Sequence, residues 1–366
     1  MPSPYRLAAF FVLALLPAAA HAQANKQVNV YNWTDYIAED AAKSFAEQTG
    51  IKVNYTTYDT NEILDAKLKT GRSGYDVVTP TASPFFVRQL AAGVFRPLDR
   101  AKLKNYGNLD PEIMAALARY DPANGHGVPW MWGTTGIGYN VDAVKQRMPD
   151  APVDSLRMVF DPAVVARFRD CGVMLLDSPT DVLPAALVYL GLDPDSKDQA
   201  ALDKAADVVR KVRPMVRKFS SGEIINALAR GDICLAFSFS GDILQAKARG
   251  ADAKPKAINV EYAIPREGSQ LWIDVMAIPK DAPNVEAAHR WIDFLLEPKI
   301  AASSSEVSGY ANANKAALAL MKPEIAGNPL IYPVTEMRRK LYTISAGSAD
   351  EVRMRTRLWT NVKTGK

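Results

Sequence analysis

QVNVYNWTDYIAEDAAKSFAEQTGIKVNYTTYDTNEILDAKLKT, residues 27–70, carries the pattern that decides the fold. Gln27–Asn32 alternates in the manner of a strand, and Glu39–Gln48 reads as a helix with Gly50 as its C-terminal stop. Lys52–Tyr58 is rich in β-formers, and Asn61–Thr70 reads as a second helix that Asp59 or Thr60 caps. Asp76–Thr79 repeats the strand, and the helix after it has Pro84 in its first turn. Strands alternating with helices specify an α/β domain with a parallel sheet.

On the N-terminal side, Arg6 precedes an apolar run, Leu7–Ala20, that ends in Ala20-His21-Ala22. One positive charge, a short apolar core and small residues before Gln23 form a secretory signal, residues 1–22. The run is too short to span a bilayer, and Pro17 interrupts it. The expected compartment is the periplasm. Removing 22 of 366 residues leaves 344, more than one core usually holds. Two lobes follow: 23–136 with 257–320, and 137–256 with 321–366, hinged near Gly136 and Lys256. Losing Arg6 lowers the formal net charge from +4 to +3, too little for a nucleic-acid binder.

On the C-terminal side, helix-like sequence dominates Pro179–Ala229. A strand at Ile233–Phe239 runs into Gly241-Asp242. Asn259–Ile264 and Leu271–Ile278 return to sheet, and the rest is mostly helical. The chain has two cysteines, Cys171 and Cys234. In an exported chain an isolated pair suggests a disulfide, with two buried thiols as the alternative. His126 and His289 lie far from either cysteine in sequence, so neither a zinc site nor any other metal or cofactor is expected.

Catalytic signatures are scarce. There is no phosphate-binding G-x-x-x-x-G-K-[ST] and no G-x-S-x-G elbow. Lys363-Thr364-Gly365 lacks the S-x-x-K partner it would need. The informative pattern is acid beside aromatic at strand ends. If Asn32–Tyr36 is extended, Trp33 and Asp35 share a face, and Trp272 and Asp274 share the face opposite Leu271, Ile273, Val275 and Ala277. Phe239 precedes Asp242 where a strand turns into a helix. Such turns frame the ligand crevice of open α/β sheets. Carboxylates bind ammonium groups by charge-assisted hydrogen bonds, and aromatic faces attract cations by about 0.5–2 kcal/mol each. Taken singly, each acid reads more readily as an N-cap or half of a salt bridge than as a ligand contact.

Tyr31-Asn32-Trp33-Thr34-Asp35-Tyr36-Ile37 resembles the opening of bacterial periplasmic polyamine-binding proteins. The likeness continues in order through Trp132–Asn140, Gly231–Cys234, Tyr310–Lys315, Arg355-Thr356-Arg357 and Trp359-Thr360, nearest to the putrescine-binding and spermidine-binding members. It implies a type II flytrap of two α/β lobes that captures a polyamine for an ABC importer. The partners implied are the ligand and an inner-membrane permease with a separate ATPase. A monomer without nucleic acid is expected. Ligand contacts carried over by motif are Trp33, Thr34, Asp35, Tyr36, Thr81, Asp181, Phe239, Asp242, Trp272, Asp274 and Tyr310. Cys171 and Cys234 match a family disulfide.

Four of these positions depart from the putrescine-binding pattern, which has Ser at Thr81, Glu at Asp181, Trp at Phe239 and Phe at Trp272. A wider indole at Trp272, with less bulk at Phe239 and Asp181, favours spermidine over putrescine. In this reading Asp35, Asp242, Asp274 and Asp181 hold ammonium groups, while Trp33, Phe239, Trp272 and Tyr310 box the methylenes. Rival readings are a binder of another cationic amine or a basic amino acid, a polyamine sensor, and a secreted hydrolase. A free amino acid would want an Arg in the crevice, and no matched position supplies one.

Overall fold

The computed structural model describes residues 26–365. The secretory signal therefore lies outside the described residues. The opening pattern folds largely as the sequence predicts. Strand β1 (Gln27–Trp33) pairs in parallel with β2 (Lys52–Tyr58), in register from Gln27 opposite Lys52 to Trp33 opposite Tyr58. Strand β3 (Val77–Val78) flanks β1 on the other side, also in parallel. Helices Ala41–Thr49 and Asn61–Leu68 make the connections. Gly50 stops the first from the left-handed region, φ 70°, where its N–H reaches the Ala46 carbonyl. Thr60 rather than Asp59 caps the second, accepting the Ile63 N–H at 3.3 Å.

Beyond this unit come β4 (Gly127–Asn140), β5 (Val173–Leu175), β6 (Lys218–Phe219), β7 (Leu235–Phe239), β8 (Val260–Ala263) and β9 (Ser269–Ala277). Two short strands, β10 (Ala311–Asn312) and β11 (Leu341–Tyr342), close the set. Strand β4 is long because it serves two sheets. Its first part, Gly127–Thr134, pairs antiparallel with β9, which joins it to β3, β1 and β2. Its second part, from Thr135, pairs with β7 and β8, and β7 continues in parallel to β5 and β6.

Each sheet carries its own core, since an apolar face must be covered on both sides of an α/β sheet. Phe45, Leu64, Phe86, Trp130 and Trp291 are fully buried in the first. Ile137, Phe160, Phe168, Leu202 and Phe237 are fully buried in the second. The first crossing between cores falls at Thr134–Gly136, where β4 changes partners. The return does not fall at Lys256. Val260, Tyr262 and Ile264 still pack in the second core because β8 pairs with the second half of β4, so the chain returns between Ile264 and Ser269. Met321 and Ile331 sit in the first core, and Leu358, Trp359 and Val362 in the second. Residues 257–264 thus pack with the second core, and Met321, Ile325, Ala326, Ile331 and Tyr332 with the first, the reverse of the expected division, while Leu330 between them packs against the second.

Cys171 and Cys234 form a disulfide with Cα atoms 5.5 Å apart, linking the loop before β5 to the residue before β7. The cross-link closes a loop of 63 residues, worth about 4 kcal/mol in the chain-entropy model.

Candidate ligand cleft between the cores

A cleft of about 920 Å³ separates the two cores. All eleven residues expected at a ligand site line it: Trp33, Thr34, Asp35, Tyr36, Thr81, Asp181, Phe239, Asp242, Trp272, Asp274 and Tyr310. They converge because the strands end there. The turn after β1 supplies Trp33–Tyr36, the segment after β3 supplies Thr81, and the β7–helix junction supplies Phe239 and Asp242. Period-two alternation along β9 points Trp272 and Asp274 into the cleft together, and Gln270 lies on the same face.

Asp274 is 3% exposed and accepts hydrogen bonds from Tyr36 Oη and Thr81 Oγ1, each at 2.6 Å. Thr81 is aimed by Asn61, whose amide donates to the Thr81 hydroxyl at 2.9 Å and accepts the Thr81 N–H at 3.1 Å. Its hydroxyl proton is therefore free to point at the carboxylate. Asp242, in the first turn of helix Ser240–Ala251, accepts from Tyr310 Oη at 2.5 Å and Ser238 Oγ at 3.5 Å. Gly241 permits this approach, since a Cβ there would stand 2.5 Å from the Tyr310 ring. Asp181, in the first turn of helix Pro179–Tyr189, accepts from Thr135 Oγ1 at 3.2 Å and from Ser178 Oγ.

The donors to these carboxylates are neutral hydroxyls, and no Lys or Arg pairs with them among the described residues. Burial consequently pushes Asp242 and Asp274 up to about 7 and Asp181 up to about 6, against the opposing pull of the hydroxyl donors. Around them the aromatic rings meet edge to face. Trp272 lies 5.1 Å from Tyr310 and 5.6 Å from Phe239, and Tyr36 lies 5.4 Å from Tyr310. Trp33 packs 4.7 Å from Tyr58, and its indole N–H is fixed on the Thr79 carbonyl.

Asp35 behaves differently from the other three acids. The expected extended run stops at Trp33, and Asp35 adopts φ 54° in the following turn, so it does not share a strand face with Trp33. Aspartate tolerates this region because its short polar side chain bonds locally. Its carboxylate meets Arg249 Nη2 at 2.6 Å across the mouth, both side chains remaining about two-fifths exposed. Thr34 donates to Asp59 beside it. Arg249 is a rim residue that sequence reasoning did not find, and neither its helix position nor its spacing marks it. Tyr58, Asn61 and Gln270 were also missed, although Gln270 was legible from its alternation with Trp272 and Asp274.

Two cores linked by crossing strands, with an acidic and aromatic cleft between them, define a two-lobed binding protein of type II. The chain belongs to the bacterial extracellular solute-binding protein family, whose model matches residues 40–333. It is 48% identical over 348 residues to the putrescine-binding periplasmic protein SpuD of Pseudomonas aeruginosa, covering 95% of this chain and 94% of that one. It is 46% identical over 343 residues to the putrescine-binding periplasmic protein PotF of Escherichia coli, covering 93% and 92%. Among solved structures it resembles the spermidine/putrescine ABC transporter substrate-binding protein PotD of Streptococcus pneumoniae. That match has TM-score 0.75 and 28% identity, and covers 93% of this chain and 99% of that one.

Proposed function

We propose that the protein captures polyamines in the periplasm and delivers them to an ABC permease driven by a separate ATPase. The observation that carries this reading is the set of three cleft carboxylates, Asp181, Asp242 and Asp274, without a basic partner among the described residues. An acid taken from water needs a counter-charge, and here a ligand supplies it. The ammonium groups of the ligand meet these acids, and Trp33, Phe239, Trp272 and Tyr310 cover its methylenes. Asp35 contributes to closure rather than direct capture, because Arg249 already answers its charge.

Three charge-assisted bonds at roughly 1.5–3 kcal/mol each, less the cost of ordering, place affinity near the micromolar range, about −8 kcal/mol. Contacts come from both cores, so ligand favours the closed arrangement, which is the signal a permease reads. The amino-acid rival needs a free cation for a carboxylate, and the rim arginine is engaged. A Ser–His hydrolase needs a histidine at the cleft, and neither His126 nor His289 lines it. The protein acts as a monomer and turns nothing over.

The relatives named above bear putrescine or spermidine in their names, and side-chain size at Phe239, Trp272 and Asp181 favours the longer amine. Competitive calorimetry of putrescine and spermidine into ligand-stripped protein tests both levels. Failure of both amines to bind overturns the class, and tighter binding of putrescine overturns the size argument alone.

A further inference from the structure

A second groove, of about 860 Å³, runs between the two cores beside the ligand cleft, separated from it by Pro84, Phe85 and Thr180. Arg88 reaches it from the first core's side and Arg355 from the second. Arg355 belongs to the Arg355-Thr356-Arg357 motif, to which the ligand cleft assigns no role.

The other charges of this groove are mostly answered. Asp65 pairs with Lys69 at 2.6 Å and accepts from Gln89. Asp195 pairs with Lys197 and accepts from Ser345. Glu351 closes the capping box of helix Ala349–Thr364 on Ser348. Arg88 and Arg355 lack such partners: neither forms an ion pair among the described residues. Arg88 rests over the Phe85 ring at 5.0 Å, and Arg355 donates only to the Ser196 carbonyl, at 2.9 Å. Both are half-buried, and burial lowers the pKa of each guanidinium, the expected sign for a cation stripped of water without full compensation. Asp65 and Glu62 act electrostatically on Arg88, and Asp195 and Glu351 on Arg355, but none of the four forms an ion pair with either arginine, and burial outweighs them.

We propose that Arg88 and Arg355 form a two-sided clamp for a small oxyanion of the phosphate or carboxylate class. A guanidinium presents a planar fork of donors suited to such oxygens. Because one Arg comes from each side, the anion binds both only when the groove is closed. It therefore couples to any ligand that also favours closure, and the coupling is reciprocal.

The test compares inorganic phosphate with chloride at equal ionic strength. In thermal unfolding of ligand-free protein, phosphate raises the midpoint of the wild type more than that of Arg88→Gln/Arg355→Gln. The difference between proteins is the readout, since phosphate also stabilises non-specifically. Glu62→Gln enlarges the effect by removing the competing acid. Should the double variant fold poorly, Arg88→Gln alone serves, with a smaller loss. In calorimetry, saturating phosphate tightens putrescine binding about fivefold in the wild type and not in the variants. Equal responses of wild type and variants to phosphate overturn the clamp. Only the calorimetric arm rests on polyamine binding: if putrescine fails to bind, the unfolding arm still decides the clamp by itself.

Discussion

The buried aspartates of the first core and those of the cleft are satisfied by different donors. Asp76 and Asp121 are wholly buried in the scaffold. Asp76 accepts the Asn29 and Asn284 backbone N–H groups at 2.7 and 2.6 Å and the Asn284 side-chain amide at 3.0 Å. Asp121 accepts the His126 and Gly127 N–H groups at 2.7 and 2.9 Å, with the His126 ring at 3.2 Å. Backbone donors cannot leave, so these charges are permanently answered and tie segments together. Asp181, Asp242 and Asp274 are instead held by hydroxyls, which orient a carboxylate without neutralising it. The scaffold acids hold the chain together, and the cleft acids are kept available.

The contrast breaks first if the two kinds of acid respond alike to loss of charge. Asp76→Asn weakens three hydrogen bonds and sets an amide against fixed N–H donors. A charge-assisted bond is worth roughly 1.5–3 kcal/mol and a neutral one roughly 0.5–1.5, so weakening all three implies a loss of about 3–4.5 kcal/mol in stability by denaturant unfolding. Asp274→Asn is expected to do the reverse. Polyamine affinity falls by about 2–5 kcal/mol, as when one member of a buried charge pair is removed, while the ligand-free protein is as stable as wild type or more so. Lower stability in Asp274→Asn would place that residue with the scaffold acids.

Protons sharpen the same comparison. With Asp242 and Asp274 raised to about 7 and Asp181 to about 6, the ligand-free cleft holds more protons than the unfolded chain between about pH 4 and 7. The contribution of these groups to ligand-free stability is therefore fully present near pH 4 and is lost as pH rises through 7. Ligand affinity runs the other way, because ammonium groups compete with those protons. Binding weakens by about tenfold or more from pH 8 to pH 6, and protons are released on binding at pH 7. Calorimetry in buffers of different ionisation enthalpy reads that release directly, and proton uptake instead would contradict the assignment.

The smallest effect belongs to the rim. Asp35 and Arg249 are paired but exposed, and such pairs contribute about 0.2–1 kcal/mol. Arg249→Ala should weaken polyamine binding by less than about fivefold, and added salt should erase the difference. A loss as large as that of Asp274→Asn would move the rim pair into the binding site itself.

The sequence displayed the cleft better than the path of the chain around it. Trp272 and Asp274 were legible because alternation along a strand is local and strict. Gly50 and Thr60 were legible because caps depend on single residues. Asp35 was assigned to the wrong conformation, since nothing local separates the last residue of a strand from the first of a turn. Arg249 and Asn61 act through partners 214 and 20 residues away, and no spacing in the chain announces such meetings. The return crossing was misplaced for a related reason. Neighbouring strands such as β8 and β9 read alike, and only their pairing with different halves of β4 tells which core each serves.

That shared strand ties the two halves of the molecule to one phase. Beyond the irregularity between Pro129 and Trp132, side chains along β4 point alternately to its two faces, from Trp132 in the first core to Ile137 in the second. One added residue between Gly133 and Gly136 would turn every side chain of one half to the opposite face of its sheet relative to the other half. Two added residues would restore the alternation but lengthen the span by about 7 Å, drawing Phe239 and Asp242 away from Trp272 and Asp274. The number of residues in this crossing thus acts as a ruler for the ligand: it sets how far apart the two walls of the cleft stand when they meet.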